Sequence, residues 1–176
     1  MDETIRSNFC GDEQAHRSLD LIFQLGTTKV ISQLPWSWCA SVIVAVPAPA
    51  AFRFMADGQK QSNWAMFSWN RRHVSENLFV GNSLFDDKEL YVKLVAREEL
   101  SLVDYYCGPS ADFLSWQVEA RVIPGDAMGL GRDKSLINMT TWRTTKTDVV
   151  EWELTGHVWQ AEIYLIKGLI EREGGA

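Results

Sequence analysis

The stretch from about Asp148 to Glu173 constrains the fold of this chain more than any other. Asp148 is a natural N-cap and Gly174-Gly175 a natural stop, so the segment between them predicts one helix roughly 37 Å long at about 1.5 Å per residue. Projected at about 100° per residue, its apolar side chains form two stripes on opposite sides, with charged residues in the seams. Val150, Leu154, His157, Val158, Ala161, Tyr164 and Leu165 make the first stripe; Trp152, Trp159, Ile163, Ile166 and Ile170 make the second. A helix apolar on two sides needs two partners. The expectation is that the His157 stripe meets a sheet, while Trp152, Trp159 and Ile163 are covered either by residues 1–35 or by a second copy in a homodimer.

What precedes this helix supplies the sheet. Ser41-Val42-Ile43-Val44-Ala45-Val46 is a β-branched run ended by Pro47 and Pro49. Those prolines open one short helix that stops at Asp57-Gly58, and Gln59 to Trp64 predicts a second. Strands are then expected at about 67–73, 78–84, 89–97, 100–107, 115–123 and 135–143. The breaks at Asp86-Asp87, Glu98-Glu99, Gly108-Pro109 and Pro124-Gly125-Asp126 are short, which makes neighbouring strands antiparallel. The class is α+β: a curved antiparallel sheet of about seven strands around a long C-terminal helix. Two domain segments follow, a partly helical extension over 1–35, with Leu19, Ile22, Phe23 and Leu25 at helical spacing, and a ligand-binding domain over 36–176.

A chain of 176 residues with 46% apolar content can bury a sizeable core unaided. The net charge of -6 comes from intermixed acids and bases, with no basic block to neutralise phosphates, so nucleic acid is not an expected partner. Cys10, Cys39 and Cys107 are odd in number, far apart and without CxxC spacing, which points to reduced thiols and a cytoplasmic setting. The acidic Met1-Asp2-Glu3-Thr4 start is unlike a signal peptide, and no apolar run is long enough for a membrane span. The three histidines lack HxH or HExxH spacing, so no metal site is expected, and no cofactor. Gly125-Asp126-Ala127-Met128-Gly129-Leu130-Gly131 joins two strands, which fits a flap better than a phosphate loop.

The order strand, two short helices, strands, long helix resembles the helix-grip fold of the START-like superfamily (SRPBCC), which includes polyketide cyclases, dehydratases and lipid carriers. Val44 to Asp57, with Pro47, Pro49 and Phe52, followed by Trp64 and Trp69, is similar to the opening of such proteins. Leu78 to Asp87, and His157, Glu162-Ile163 and Leu165 to Glu171, resemble segments of bacterial members. The resemblance spans about residues 40–173. It implies a small hydrophobic molecule, aromatic or polyketide-like, held between sheet and helix, and cyclisation or dehydration by cofactor-independent acid/base chemistry. The alternative is a carrier or sensor of a lipid or hydrophobic metabolite that does no chemistry. The superfamily has no universal catalytic residue to transfer.

Alternation within strands supplies candidate pocket residues. Charged neighbours turn Trp116, Val118, Ala120 and Val122 inward on one strand, and Leu90, Val92 and Leu94 on another. The parity of Arg143 suggests that Asn138, Thr140 and Trp142 point in as well. His157, Tyr105 and Asp104 are the candidate acid/base groups, with Val103 and Tyr105 favoured inward because an unpaired inward Asp104 is costly. Trp69, His73, Leu154 and Ala161 complete the ligand-binding set. For His157, hydrogen bonding within a core is the competing role; for His73, a solvated face; and for Asp104, an exposed strand end.

Overall fold

The computed structural model describes residues 34–174. The expected extension helix around Leu19–Leu25 lies outside the described residues.

Ser37–Val44 forms β1, beginning four residues before the β-branched run, and alternation sends Trp38, Ala40, Val42 and Val44 to the core side. Helix α1, Ala48–Ala56, starts with Pro49 in its first turn, where a missing N–H costs nothing. It buries Ala48, Ala51, Phe52, Phe54 and Met55. Where a second short helix was expected, the chain makes two 3₁₀ turns, Lys60–Asn63 and Met66–Ser68.

Six strands follow: β2 Trp69–Ser75, β3 Leu78–Asn82, β4 Glu89–Arg97, β5 Leu102–Ser110, β6 Phe113–Pro124 and β7 Ser135–Trp142. The seven strands pair antiparallel in the order β1-β7-β6-β5-β4-β3-β2. Sequential hairpins therefore build everything but the β1–β7 pairing, which joins the two ends of the strand series. The curved sheet and long C-terminal helix are a helix-grip fold.

Helix α2, Val149–Gly174, matches the expected span. Asp148 caps it, its Oδ1 accepting the N–H groups of Val150 at 2.9 Å and Glu151 at 3.1 Å. The assignment of its two stripes is reversed, however. Trp152, Trp159, Ile163, Ile166 and Ile170 are buried, while Val150, His157, Ala161, Tyr164 and Leu165 are exposed, Leu154 is half-buried, and Val158 alone of that stripe is buried. Trp152, Trp159 and Ile163 face the sheet and are not the surface of a homodimer. The larger side chains occupy the inward stripe because they hide the most apolar area. Gly156 lets β1 approach: a Cβ there would sit 2.5 Å from the Trp38 ring, whose indole N–H donates to the Trp152 carbonyl at 3.0 Å.

No helix among the described residues is long and apolar enough to cross a membrane.

Candidate functional site

The concave side of the sheet is mostly apolar: Val92, Leu94, Val103, Ala120, Val122, Ile137 and Met139 meet Phe52, Met55, Trp159, Ile163 and Ile166 from the helices. Into this layer the fold inserts a polar network that strand alternation alone does not reveal. Its centre is Arg71, which is 7% exposed. β2 carries a register irregularity between Trp69 and Arg72, and Asn70 adopts φ +49°, a left-handed conformation that Asn tolerates better than most residues. This local twist turns Arg71 inward while Arg72 stays outside and pairs with Glu89 at 2.6 Å.

From Arg71 the hydrogen bonds run in two directions. Nε donates to the Ser68 hydroxyl at 3.1 Å and the Ser68 carbonyl at 3.2 Å, and Nη1 donates to the side-chain oxygen of Gln61. Gln61, fully buried, in turn donates to the Met55 carbonyl at 3.1 Å, and the Tyr105 hydroxyl donates to the same carbonyl at 2.9 Å. Met55 lies in the last turn of α1, where carbonyls lack helical partners, so the network also closes that helix end.

Glu162 enters the same interior from α2. It is 3% exposed, and Oε1 accepts the Met66 backbone N–H at 2.6 Å. Desolvation raises its carboxyl to about 8, against opposing contributions from the Met66 hydrogen bond and the Arg71 charge, so it holds a proton at neutral pH. Burial lowers the Arg71 guanidinium to about 10, still charged, and pushes the Cys107 thiol up to about 11. Burial likewise drives the Tyr105 phenol well above its usual range. One further group stands out: Trp64 is 3% exposed, and its indole N–H has no hydrogen-bond partner among the described residues.

Of the expected site residues, Tyr105 joins this interior, as do the inward sets of β4 and β6 from Leu90 to Leu94 and Val118 to Val122. Asp104 faces the opposite side of β5, buried against Arg97, so it does not pair with Tyr105. On β7 the parity is the reverse of that expected. Ser135, Ile137, Met139 and Thr141 are buried, and Asn138, Thr140 and Trp142 lie on the convex side. There Asn138 takes a thiol hydrogen bond from Cys39 at 2.9 Å and donates to Thr140 at 3.4 Å. The Arg143 side chain lies over the Trp36 ring at the end of the strand, a stacking contact that says nothing about strand parity.

Trp116, 47% exposed, stacks edge-on against Trp142 with ring centroids 4.4 Å apart, outside the core. A bulge between Tyr105 and Tyr106 shifts the β6 register at Gln117, so Trp116 does not share the face of Val118. His73 is exposed, near the Glu76 carbonyl at 2.9 Å, and Trp69 is half-buried. His157 and Ala161 lie on the exposed side of α2, away from the network.

Arg71, Gln61, Glu162 and Trp64 were missed as site residues. Their local sequences contain signals only in retrospect: Arg71-Arg72 reads as a solvated pair, and Glu162 sits in a helix seam.

At one end of the domain, a surface depression of about 420 Å³ is lined by Pro47, Pro49, Phe52, Glu98, Ser101, Pro124, Asp126 and Arg132. Phe52 belongs to both this depression and the core. The Gly125–Gly131 segment borders it, with a 3₁₀ turn over Gly125–Met128 and positive φ at Gly129 and Gly131.

No family model matches the chain, and no curated protein does. Solved structures do match. A START superfamily protein from Mycobacterium smegmatis aligns with a TM-score of 0.55 at 12% identity, over 78% of this chain and 98% of that one. The Zhui aromatase/cyclase from a Streptomyces species gives a TM-score of 0.57 at 14% identity, over 78% and 94%. A Thermobifida fusca protein gives 0.57 at 17% identity, over 78% and 95%. At these identities the likeness is one of fold, and the fold is START-like.

Proposed function

We propose that this protein binds a small, largely apolar molecule between the concave sheet and α2, and that Glu162 acts on it as a general acid in a cofactor-independent dehydration or cyclisation. The observation that carries this reading is Glu162 itself, a buried carboxyl that keeps its proton near neutrality in a mostly apolar layer that also holds the Arg71 network. In a dehydration, Glu162 gives its proton to the departing hydroxyl, which leaves as water. The carboxylate so formed takes the proton from the adjacent carbon, which regenerates the acid. Tyr105 stays protonated and holds the end of α1 in place through the Met55 carbonyl. The likeness in fold to an aromatase/cyclase and a START superfamily protein supports the reading of a hydrophobic ligand-binding fold. Access is through the depression at the α1 end, with displacement of Phe52.

Native mass spectrometry of freshly purified protein tests binding, and incubation of any retained compound tests chemistry. A retained organic mass that is transformed by the protein and returned unchanged by Glu162→Gln supports the full proposal. A compound returned unchanged by both identifies a carrier and removes the catalytic role. Protein that stays empty and binds no apolar probe sinks the proposal altogether.

A further inference from the structure

Arg71 is a buried cation whose protein partners are all neutral. Its Nη1 and Nε bond to an amide and a serine, and no ion pair reaches it among the described residues. Nη2 donates to no protein acceptor there. Glu162, the buried acid whose field it feels, lies beyond ion-pairing distance. An isolated interior charge is among the costliest arrangements a fold can keep, and an added anion would relieve it. The Trp64 N–H is a second interior donor, lacking an acceptor among the described residues. The Trp64 N–H needs an acceptor and the Arg71 guanidinium a counter-charge.

We infer that the interior takes a monoanionic ligand, an apolar molecule ending in a carboxylate, with Arg71 as its counter-ion. This rests on the reading of the interior as a ligand site. A carboxylate suits the remaining guanidinium edge through a charge-assisted hydrogen bond, and its second oxygen can accept from a neutral donor. A neutral ester or alcohol of the same length leaves the buried charge uncompensated. Arg71 thereby selects for ligand charge, and the apolar layer sets the ligand's size.

The test uses delipidated full-length protein and a matched series: decanoate, methyl decanoate and the neutral fluorophore N-phenyl-1-naphthylamine. At pH 7, decanoate is expected to bind roughly tenfold or more tightly than its methyl ester. Arg71→Met should erase that preference and still bind the fluorophore, and Arg71→Lys should restore part of it. Equal affinity of acid and ester for the wild type overturns the inference while leaving a ligand pocket in place, as does a preference that survives Arg71→Met. Failure of all three probes to bind folded wild type instead removes the ligand-site reading and the inference with it. If Arg71→Met does not fold, the wild-type acid-to-ester ratio and its change in Arg71→Lys decide.

Discussion

The two sides of α2 carry similar apolar content in sequence and have opposite fates. One presents Trp152, Trp159, Ile163, Ile166 and Ile170 to the sheet, all buried, with Glu162 among them; the other leaves Val150, Tyr164 and Leu165 exposed, with His157. The difference teaches that position relative to the sheet, more than side-chain chemistry, decides which ionisable group of the helix is taken out of water. His157 is exposed, whereas Glu162, an ordinary seam residue, has its proton affinity remade by burial.

The contrast can be broken first at its strongest point. Trp159→Ala should destabilise the protein by about 3–5 kcal/mol in urea unfolding, as a large buried side chain is lost and a cavity remains. A loss under about 1 kcal/mol would mean that this side of α2 does not carry the core. Gly156→Val probes the same contact from the backbone: its added atoms collide with Trp38, and a cost of about 1–3 kcal/mol is expected from thermal melts. A neutral result would show that Trp38 moves aside freely.

Glu162→Gln sharpens the electrostatic half of the comparison. The folded carboxyl holds its proton to about pH 8, while the unfolded one releases it near its ordinary value of 4.5. Between those two pH values the native state binds more protons, so wild-type stability should fall as pH rises, by at most about 1.4 kcal/mol per pH unit for this one group. Glu162→Gln should flatten that decline. A wild-type slope unchanged by the substitution would mean that Glu162 ionises normally. The smallest effects belong to the exposed side: His157→Ala and Leu165→Ala should each stay within about 0.5 kcal/mol of wild type. A larger loss for either would show that this side is covered in the folded chain.

Much of the fold was legible because it depends on patterns that are local in the chain. The Asp148 cap, the helix length, the prolines opening α1 and the strand breaks are each read from a few adjacent residues, and the structure agrees with them within a few positions. Alternation also oriented β4 and the centre of β6 correctly, where charged residues mark the outer face, while on β5 Val103 and Tyr105 face inward as favoured although Asp104 is buried too. It failed on β7, where Arg143 lies past the strand end and stacks on Trp36, so its parity carried no information. It failed again at Trp116, where a one-residue bulge reverses the face.

The sequence by itself determined a helix-grip arrangement: one capped C-terminal helix, a chain of antiparallel hairpins, and enough apolar surface to bind them. Only the tertiary structure decided which helix stripe faces the sheet, and it chose the one with the most apolar area to hide. It also decided that Arg71 and Glu162, 91 positions apart in the sequence, share one interior. A bulge and a left-handed Asn70 turn one inward, and helix phase delivers the other. Their proton affinities follow from desolvation, a property of the assembled core that no local run of residues encodes.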